Sequence, residues 1–468
     1  MTETVSDKPR VAIQRLSHAA YHDVPPFDPP NPVYAAVVRT LELLRLDAGR
    51  VGQTDWNPFG RWVKPGGCVV VKPNFVTNRD REKLLDGDQL FASSTHPSIL
   101  RPLIDLAWRA LQGEGTVHVV DSPIEGSDIE DTKRRIGFDD MLGELRARGV
   151  GVDWTDLRDF GYRRHFPIDD VRFAGRSYNV GWTEYVQQSG DPNGYSTIDL
   201  GPHSLLEQLP NQDRLTFHKR DYRVAARHHS GGSHAYSLSN MALDADLILN
   251  VPKLKTHKKS GVTLALKGVI GLSNRKVWLP HFRRGWPPEG DEFDRQPSRR
   301  ERMANRLTRF PLWGGHTAIL NFPRLGSPVS YAEGGCHPGN DTLWRTVLDL
   351  NIALVYGRRD GSLADSPQRA AVHVIDGIIG GEGDGPLRPD PKPAGLLVAS
   401  LDPVALEAIG AELMGFDSRN LPTVSEAERT GKYYLGCGRL ADLEVVGDPL
   451  APCDPPFRPA RYWEGLLR

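Results

Sequence analysis

The chain has 468 residues and a nearly balanced charge, with 58 lysines and arginines against 59 aspartates and glutamates. A formal net charge of −1 excludes a protein that binds nucleic acid or an anionic membrane with its whole surface. Hydrophobic residues make up 39% of the chain, which indicates a globular fold with a large core. The 4 cysteines never fall two residues apart, which argues against an iron–sulfur cluster.

The first residues contain neither an apolar run nor a twin arginine, so neither a secretory nor a Tat signal is expected. No stretch of about 18 consecutive apolar residues occurs, so no transmembrane helix is expected. So few cysteines in so long a chain are typical of a reducing compartment. We therefore predict a soluble, cytoplasmic protein.

The predicted elements of the first half alternate between strands and helices. In chain order they are a strand over 10–14, a helix over 33–48, the strand CVVV, a helix that begins at Pro97 and the strand TVHVV. Strand, helix and strand in this order form a βαβ unit, which predicts a parallel sheet with loops at the carboxyl ends of its strands.

The second half repeats this alternation. Its predicted elements are the buried strand in LDADLILNVP, a short helix in SGVTLALKGVIG, a helix over 342–356, the strands AVHVIDG and GLLVAS, and a helix that Pro403 begins after an Asp402 cap. The sequence thus predicts an α/β fold with two lobes, mainly parallel sheets flanked by helices, and a central cleft.

One large domain with an extension at each end is expected. A family-like α/β domain spans 65–430, with irregular insertions near 156–235 and 283–340, which are poor in periodicity. An N-terminal extension with a strand and a helix covers 1–64, and a C-terminal extension covers 431–468.

Charge is segregated in the interval 247–288, which contains no acidic residue and nine cations. Lysines crowded behind the end of a buried strand suit a phosphate or carboxylate ligand. A solvated basic face is the simpler interpretation of such a run. Because these lysines follow a strand at the ligand-binding side of an α/β sheet, we predict that Lys253 and Lys255 bind an anion.

Lys267 lies in the apolar stretch VTLALKGVIG, where a buried charge is costly unless it has a partner or a task. We therefore predict a catalytic role for Lys267. Nearby histidines suggest proton transfer or metal binding, with His257 as acid or base and with His281 and His234 as candidate metal ligands. No histidine pair shows the helical spacing of a zinc protease, and loop histidines exposed to solvent remain the alternative.

Polar residues follow other strands of the predicted sheet. Lys72 and Asn74 come after CVVV, Asp376 ends a predicted strand, and Glu382 lies in the glycine-rich segment IDGIIGGEGDGP. Side chains at the carboxyl ends of strands are where α/β proteins build binding sites, so we predict that these four contact a ligand or cofactor. The alternative for the polar residues is turn capping, and for Glu382 a tight turn with solvated carboxylates.

The motifs together resemble the domain of unknown function 362 family. The resemblance covers residues 65–430 and rests on VVVKPNFV, STHP, VVDSP, ADLILNVPKLKTHKKSGVTLALKGVIG, LPHFRRG, NDTLWRTVLDLN, VIDGIIGGEGDGP and SLDPVALEAIGAELMGFD. The family is named for its lack of an assigned function. Some members carry an iron–sulfur module, and this chain lacks the cysteines for one. Where many relatives have Lys-Asn, this sequence has Lys267-Gly268.

A weaker similarity connects ADLILNVPKLKTH and the following lysine to the lactate racemase family, whose members carry a nickel pincer nucleotide on a lysine. By position, His257 matches the histidine before that lysine, Lys267 the lysine itself and His281 a metal-binding histidine. This similarity implies proton or hydride movement at a carbon that bears oxygen.

Two functions remain open from the sequence, and an enzyme is favoured. The first is an isomerase or oxidoreductase that binds an anionic small molecule or a nucleotide-like cofactor, with or without a divalent metal. The second is a non-catalytic module that binds a phosphate-bearing partner through the same lysines. Few aromatic residues interleave the lysines, which counts against nucleic acid as that partner.

Overall fold

The computed structural model describes residues 8–21, 31–76, 79–80, 83–85, 87–124, 127–173, 176–217, 222–296, 298–299, 309–312, 316–319 and 334–465. Ten strands of this part form a central sheet. In chain order they are β1 (Arg10–Arg15), β2 (Cys68–Pro73), β3 (Thr116–Asp121), β4 (Val152–Asp156), β5 (Leu247–Val251), β6 (Lys253–His257), β7 (Gly261–Thr263), β8 (Ala370–Glu382), β9 (Asp390–Ser400) and β10 (Glu444–Gly447).

The strand order across the sheet is β10-β1-β9-β8-β5-β2-β3-β4, with β6 continuing along β8 and β7 paired to β6. Adjacent strands are parallel from β8 through β5, β2 and β3 to β4, whereas β9 is antiparallel to both β8 and β1. The prediction of an α/β fold with a mainly parallel sheet is confirmed. Both predicted lobes contribute to this one sheet, because β5 lies between β2 and β8.

Eleven α-helices lie within the described part of the chain. They are α1 (Pro32–Leu43), α2 (Asp88–Ser93), α3 (Pro97–Ala110), α4 (Ile129–Arg135), α5 (Phe138–Ala147), α6 (Tyr222–His228), α7 (Asn240–Leu243), α8 (Ala265–Gly268), α9 (Leu343–Tyr356), α10 (Pro403–Met414) and α11 (Pro422–Ser425).

Five short strand pairs lie outside the central sheet. They are Arg79–Asp80 with Lys83–Leu84, Phe160–Phe173 with Arg176–Gln187, Tyr195–Asp199 with Ala235–Ser239, Leu215–Thr216 with Phe282–Arg283, and Arg309–Leu312 with His316–Ile319. Much of the insertion predicted near 283–340, and the side chains of 161–185, lie outside the described residues.

The helices begin where the sequence predicts. Helix α10 starts at Pro403, and the Asp402 carboxylate accepts hydrogen bonds from the backbone N–H groups of Val404 and Ala405 at 2.9 and 2.8 Å. Helix α3 starts at Pro97, which fixes the backbone angle of the first turn and removes an N–H group that no helical carbonyl could accept.

The helices cover both faces of the sheet. One core packs α1, α3 and α5 against β2, β3 and β5, and another packs α9 against the opposite side of the same strands. A third core joins α10 to β1, β8 and β9. None of the described helices has the length and apolar character needed to cross a membrane.

The segments KLKTH and IIGGE differ from the loops that the sequence predicts, because both are strands. Leu254 is buried between two lysines, which is the alternation of a strand. Strand β8 runs on to Glu382 because its glycines let neighbouring groups approach. A Cβ atom at Gly381 would lie 2.7 Å from the carbonyl oxygen of Ala92.

Candidate functional site

The carboxyl ends of β2 and β3 hold a buried ion pair. Because β2 and β3 are parallel neighbours, Lys72 near the end of one strand meets Asp121 at the end of the other. The Lys72 ammonium lies 2.8 Å from the Asp121 carboxylate, and both side chains are at most 2% exposed. The other carboxylate oxygen of Asp121 accepts the N–H of Phe75 at 2.7 Å. The pair therefore lies at one side of the candidate site, at the carboxyl ends of β2 and β3.

Strands β6 and β7 place a second lysine near this pair. Lys255 is fully buried, and its ammonium donates to the carbonyl oxygen of Ser93 at 2.7 Å. No carboxylate of the described residues lies within 4.0 Å of this ammonium. Burial, reinforced by the positive charge of Lys267, holds the pKa of Lys255 well below its ordinary value. Lys255 therefore has no neutralising carboxylate partner in the described part of the chain.

A third lysine, Lys267, lies in the short helix α8. Its ammonium makes no hydrogen bond or ion pair with the described residues, and it is not sealed from solvent. Burial, together with the nearby charges of Lys276 and Lys259, lowers the pKa of Lys267 to about 7. An amine with this pKa is partly neutral near pH 7, so it can accept a proton or attack an electrophile.

A buried carboxylate on helix α10 faces the start of α8. Glu407 accepts the backbone N–H of Leu266 at 3.1 Å and the hydroxyl of Thr423 at 3.2 Å. Burial raises the pKa of Glu407 to about 7 despite these hydrogen bonds and the charge of Lys267. The sequence interpretation missed Glu407. Its signal was the one used for Lys267, a single charged residue in an otherwise apolar helix (VALEAIGAELM).

His257 and His281 have opposite hydrogen-bonding roles. The Nδ1 atom of His257 accepts the backbone N–H groups of Lys259 and Ser260 at 3.0 and 3.3 Å, so a proton on the neutral ring belongs on Nε2. The Nδ1 atom of His281 donates to the carbonyl oxygen of Leu279 at 2.9 Å, which leaves a lone pair on Nε2. Neither Nε2 atom has a hydrogen-bond partner or is sealed from solvent in the described part.

Both imidazoles are held neutral. Burial lowers the pKa of His257 well below its ordinary value, and the charges of Lys267 and Lys259 lower it further. Burial and the same two lysines act in the same direction on the pKa of His281. At neutral pH the site therefore contains one imidazole that donates from Nε2 and one that accepts there.

These contacts define the lysine–histidine cluster, which comprises Lys72, Asp121, Lys255, His257, Lys259, Lys267, Lys276 and His281. Lys276 is joined to it because its ammonium donates to the carbonyl oxygen of Ser122, next to Asp121. Two buried side-chain oxygens at the same strand ends, Oδ1 of Asn74 and Oγ of Ser122, have no partner among the described residues. Such unsatisfied polar atoms are uncommon and mark a place where a ligand or water belongs.

Lys253 lies next to the cluster in a closed arrangement of its own. Its ammonium is 2.9 Å from the Asp376 carboxylate and donates to the Tyr21 hydroxyl at 2.6 Å. Asp376 also accepts the hydroxyl of Tyr21 at 2.5 Å and the backbone N–H of His96 at 3.0 Å. The two charges neutralise each other at complete burial. These contacts connect the N-terminal segment to β6 and β8. The Lys253 ammonium is already paired with Asp376 and Tyr21.

The structure separates two other predicted residues from the cluster. Glu382 pairs with Arg458 at 2.7 Å, beside the C-terminal segment. His234 is fully buried, with Nε2 2.7 Å from the carboxylate of Glu207. Among the described residues, no three His, Cys, Asp or Glu side chains form a group that could hold a metal ion. His234 and His281 thus take part in different contacts.

Comparison with known proteins places part of the chain in a family. Residues 191–412 match the family described as Domain of unknown function (DUF362). This segment resembles a DUF362 domain. The family predicted from the sequence motifs is confirmed. The domain contains Lys255, His257, Lys267 and His281, whereas Lys72 precedes it in the chain.

A curated relative extends the comparison. A thylakoid-associated protein of Synechocystis sp. is 26% identical over 196 residues, which cover 42% of this chain and 40% of that protein. No solved structure matches the chain. The comparisons do not show the similarity to the lactate racemase family, which stays a prediction.

Proposed function

We propose that this protein is an enzyme that transfers a proton on a small molecule carrying a carboxylate or a phosphate group. Three nitrogen atoms carry the proposal: Nζ of Lys267, Nε2 of His257 and Nε2 of His281. Each lacks a hydrogen-bond partner among the described residues, and none of the three is sealed from solvent. The charges of Lys259 and Lys267 act on both histidines, so an anionic ligand near them would gain both charge neutralisation and hydrogen bonds.

The anionic group of the substrate would bind Lys255 and Lys267. Buried ammonium groups without a carboxylate partner are costly, and an anion offsets that cost more strongly there than in water. The same two groups could bind the phosphates of a nucleotide-like cofactor. Lys72 would contribute less to this binding, because Asp121 already neutralises its charge.

The two histidines would divide the proton transfer. His281 offers a lone pair at Nε2, so it can take a proton from a carbon next to a carbonyl or a hydroxyl group. His257 offers a proton at Nε2, so it can hydrogen-bond to the oxygen on which negative charge develops. His281 would then return a proton to the same carbon, so that the substrate neither gains nor loses a proton overall. None of these steps uses a metal ion.

A deuterium-exchange experiment tests the proposal. The protein is incubated in deuterated buffer with a panel of 2-hydroxy and 2-oxo acids and their phosphorylated counterparts, and loss of the C–H signal is followed by proton NMR. We expect exchange with at least one compound. His281→Gln should reduce its rate at least about 100-fold, the usual size of a general-base contribution.

His18→Gln is the matched control, because His18 is exposed and hydrogen-bonds only to Ser17 in the described part. Exchange that persists in His281→Gln would contradict the assignment of the base. A different result would indicate a binding module. The protein would then catalyse no exchange but bind inorganic phosphate, with an affinity that falls steeply with salt and does not change when His257 or His281 is substituted.

A further inference from the structure

A cavity of about 190 Å³ lies between the sheet and helix α9, and we infer that it is a second ligand site for a small neutral molecule with one hydroxyl group. Its floor is formed by side chains of β5 and β8 that point to the same face, among them Ile248 and Ala371. Leu354 and Val355 of α9 line the opposite side. Most of the lining is apolar, so the body of the ligand is apolar too.

The volume limits the size of the ligand. A dry apolar cavity of about 150 Å³ is known to hold benzene. A cavity of about 190 Å³ therefore holds one six-membered ring with a small substituent, or a branched aliphatic chain of similar size. Leu401 and Tyr434, both exposed, also line the cavity, so the ligand has a route of entry from the surface.

The inference that the ligand carries a hydroxyl group rests on two lining residues, His373 and Asn351. The Nδ1 atom of His373 accepts from the side-chain amide of Asn250 at 3.0 Å, which leaves the proton of the neutral ring on Nε2. On α9, the amide nitrogen of Asn351 donates to the carbonyl oxygens of Leu266 and Val347, which leaves Oδ1 as an acceptor. Neither Nε2 of His373 nor Oδ1 of Asn351 has a partner in the described part, and neither is among its sealed polar atoms.

A hydroxyl group matches this pair, because it accepts from Nε2 of His373 and donates to Oδ1 of Asn351. The ligand is neutral because the charged residues of the lining are already engaged. Lys72 is paired with Asp121, and the guanidinium of Arg369 donates to the carbonyl oxygens of Leu243, Leu354 and Gly357. This site is distinct from the proposed anion site, although Lys72 contributes to both.

The experiment compares phenol with toluene, two probes of almost equal shape that differ in the hydroxyl group. Dissociation constants are measured by saturation-transfer NMR on the full chain. We expect phenol to bind about tenfold more tightly, because toluene would leave two polar atoms without partners. A purely apolar cavity would prefer toluene, so tighter or equal binding of toluene would overturn the inference, as would the absence of saturable binding of either probe.

Ala371→Leu fills the cavity and should weaken phenol binding at least tenfold, whereas Ala441→Leu, in an exposed 3-10 turn, should not. If Ala371→Leu does not fold, Val355→Phe closes the same cavity from a partly exposed position. Unchanged phenol binding in a folded filling variant would also overturn the inference. Lys267→Met should leave phenol binding intact, which separates this site from the proposed catalytic function.

Discussion

The charge of Glu407 raises the proton affinity of Lys267, against the larger effect of burial. The Lys267 amine has its pKa lowered to about 7 by burial and by Lys276 and Lys259, and the carboxylate of Glu407 works in the opposite direction. Glu407 is fixed by hydrogen bonds from Leu266 and Thr423. It is a positioning residue, since it acts on the amine through its charge and makes no contact that a substrate would need.

Glu407→Gln should therefore lower the pKa of Lys267 below about 7, because the favourable charge is lost while glutamine can keep both hydrogen bonds. The measurement is the pH dependence of the acetylation rate of Lys267, followed by peptide mass spectrometry. Glu412→Gln on the same helix serves as control. A reactivity midpoint that stays near pH 7 in Glu407→Gln would contradict the coupling.

The same variant changes the pH dependence of stability. Glu407 has an ordinary pKa of 4.5 and a pKa of about 7 in the folded protein, so the folded state holds its proton more tightly. Its contribution to the free energy of unfolding is present below pH 4.5 and is lost as pH rises through 7, by about 3 kcal/mol in total. Glu407→Gln should remove this fall in the free energy of unfolding. Urea unfolding of both proteins at a series of pH values measures the difference.

At the scale of the element, one glycine lets the segment 269–272 close over the Lys72–Asp121 pair. A Cβ atom on Gly271 would lie 2.1 Å from an oxygen of Asp121 and 2.5 Å from the Lys72 ammonium. The backbone carbonyl of Gly271 also accepts the N–H of Ser122 at 2.8 Å. Any side chain at this position displaces the segment from the strand ends.

Gly271→Ala should lower the free energy of unfolding by roughly 2 kcal/mol or more, because it overpacks a buried ion pair. Gly143→Ala is the contrasting control. Gly143 lies on the exposed face of α5 with nothing within 4 Å of an added Cβ, so alanine there should stabilise by about 1 kcal/mol. Equal effects of the two substitutions in chemical denaturation would show that the close approach at Gly271 is unimportant.

The helices and strands also show which elements can be predicted from local sequence patterns. Apolar runs and proline or aspartate caps were enough to predict α3, α10 and most strands of the sheet, since these signals act over a few residues. The pattern did not predict β6, because KLKTH pairs with β8, which follows only after the intervening segment 258–369. Nor did it reveal that Asp376 lies inside β8 and faces Lys253, because that pairing depends on the register of distant strands.

At the scale of the molecule, both chain ends complete the central sheet. Strand β1 lies between β9 and β10, and its residues Val11 and Ile13 are fully buried. Arg10 and Glu444 join the two ends by an ion pair at 2.8 Å. Tyr21 reaches further in and hydrogen-bonds to Asp376. The predicted N-terminal and C-terminal extensions therefore pack as parts of one core.

A fragment comprising residues 65–430 should lose cooperative thermal unfolding, because it lacks β1, β10 and α1 and exposes the apolar face of β9. Differential scanning calorimetry of this fragment, with the fragment 8–465 as control, measures the loss. A sharp transition at the midpoint of the full chain would show that 65–430 folds on its own.

The sequence by itself determined the α/β class, the family, the main strands and helices, and the interval 247–288 in which cations are concentrated. Each of these depends on residues close together in the chain. Only the tertiary structure decided which lysines are neutralised and which are not. Lys253 and Lys72 meet carboxylates on other strands, whereas Lys255 and Lys267 meet none in the described part. The tautomers of His257 and His281 likewise depend on folding. In each ring, the backbone group that hydrogen-bonds to Nδ1 determines which nitrogen carries the proton.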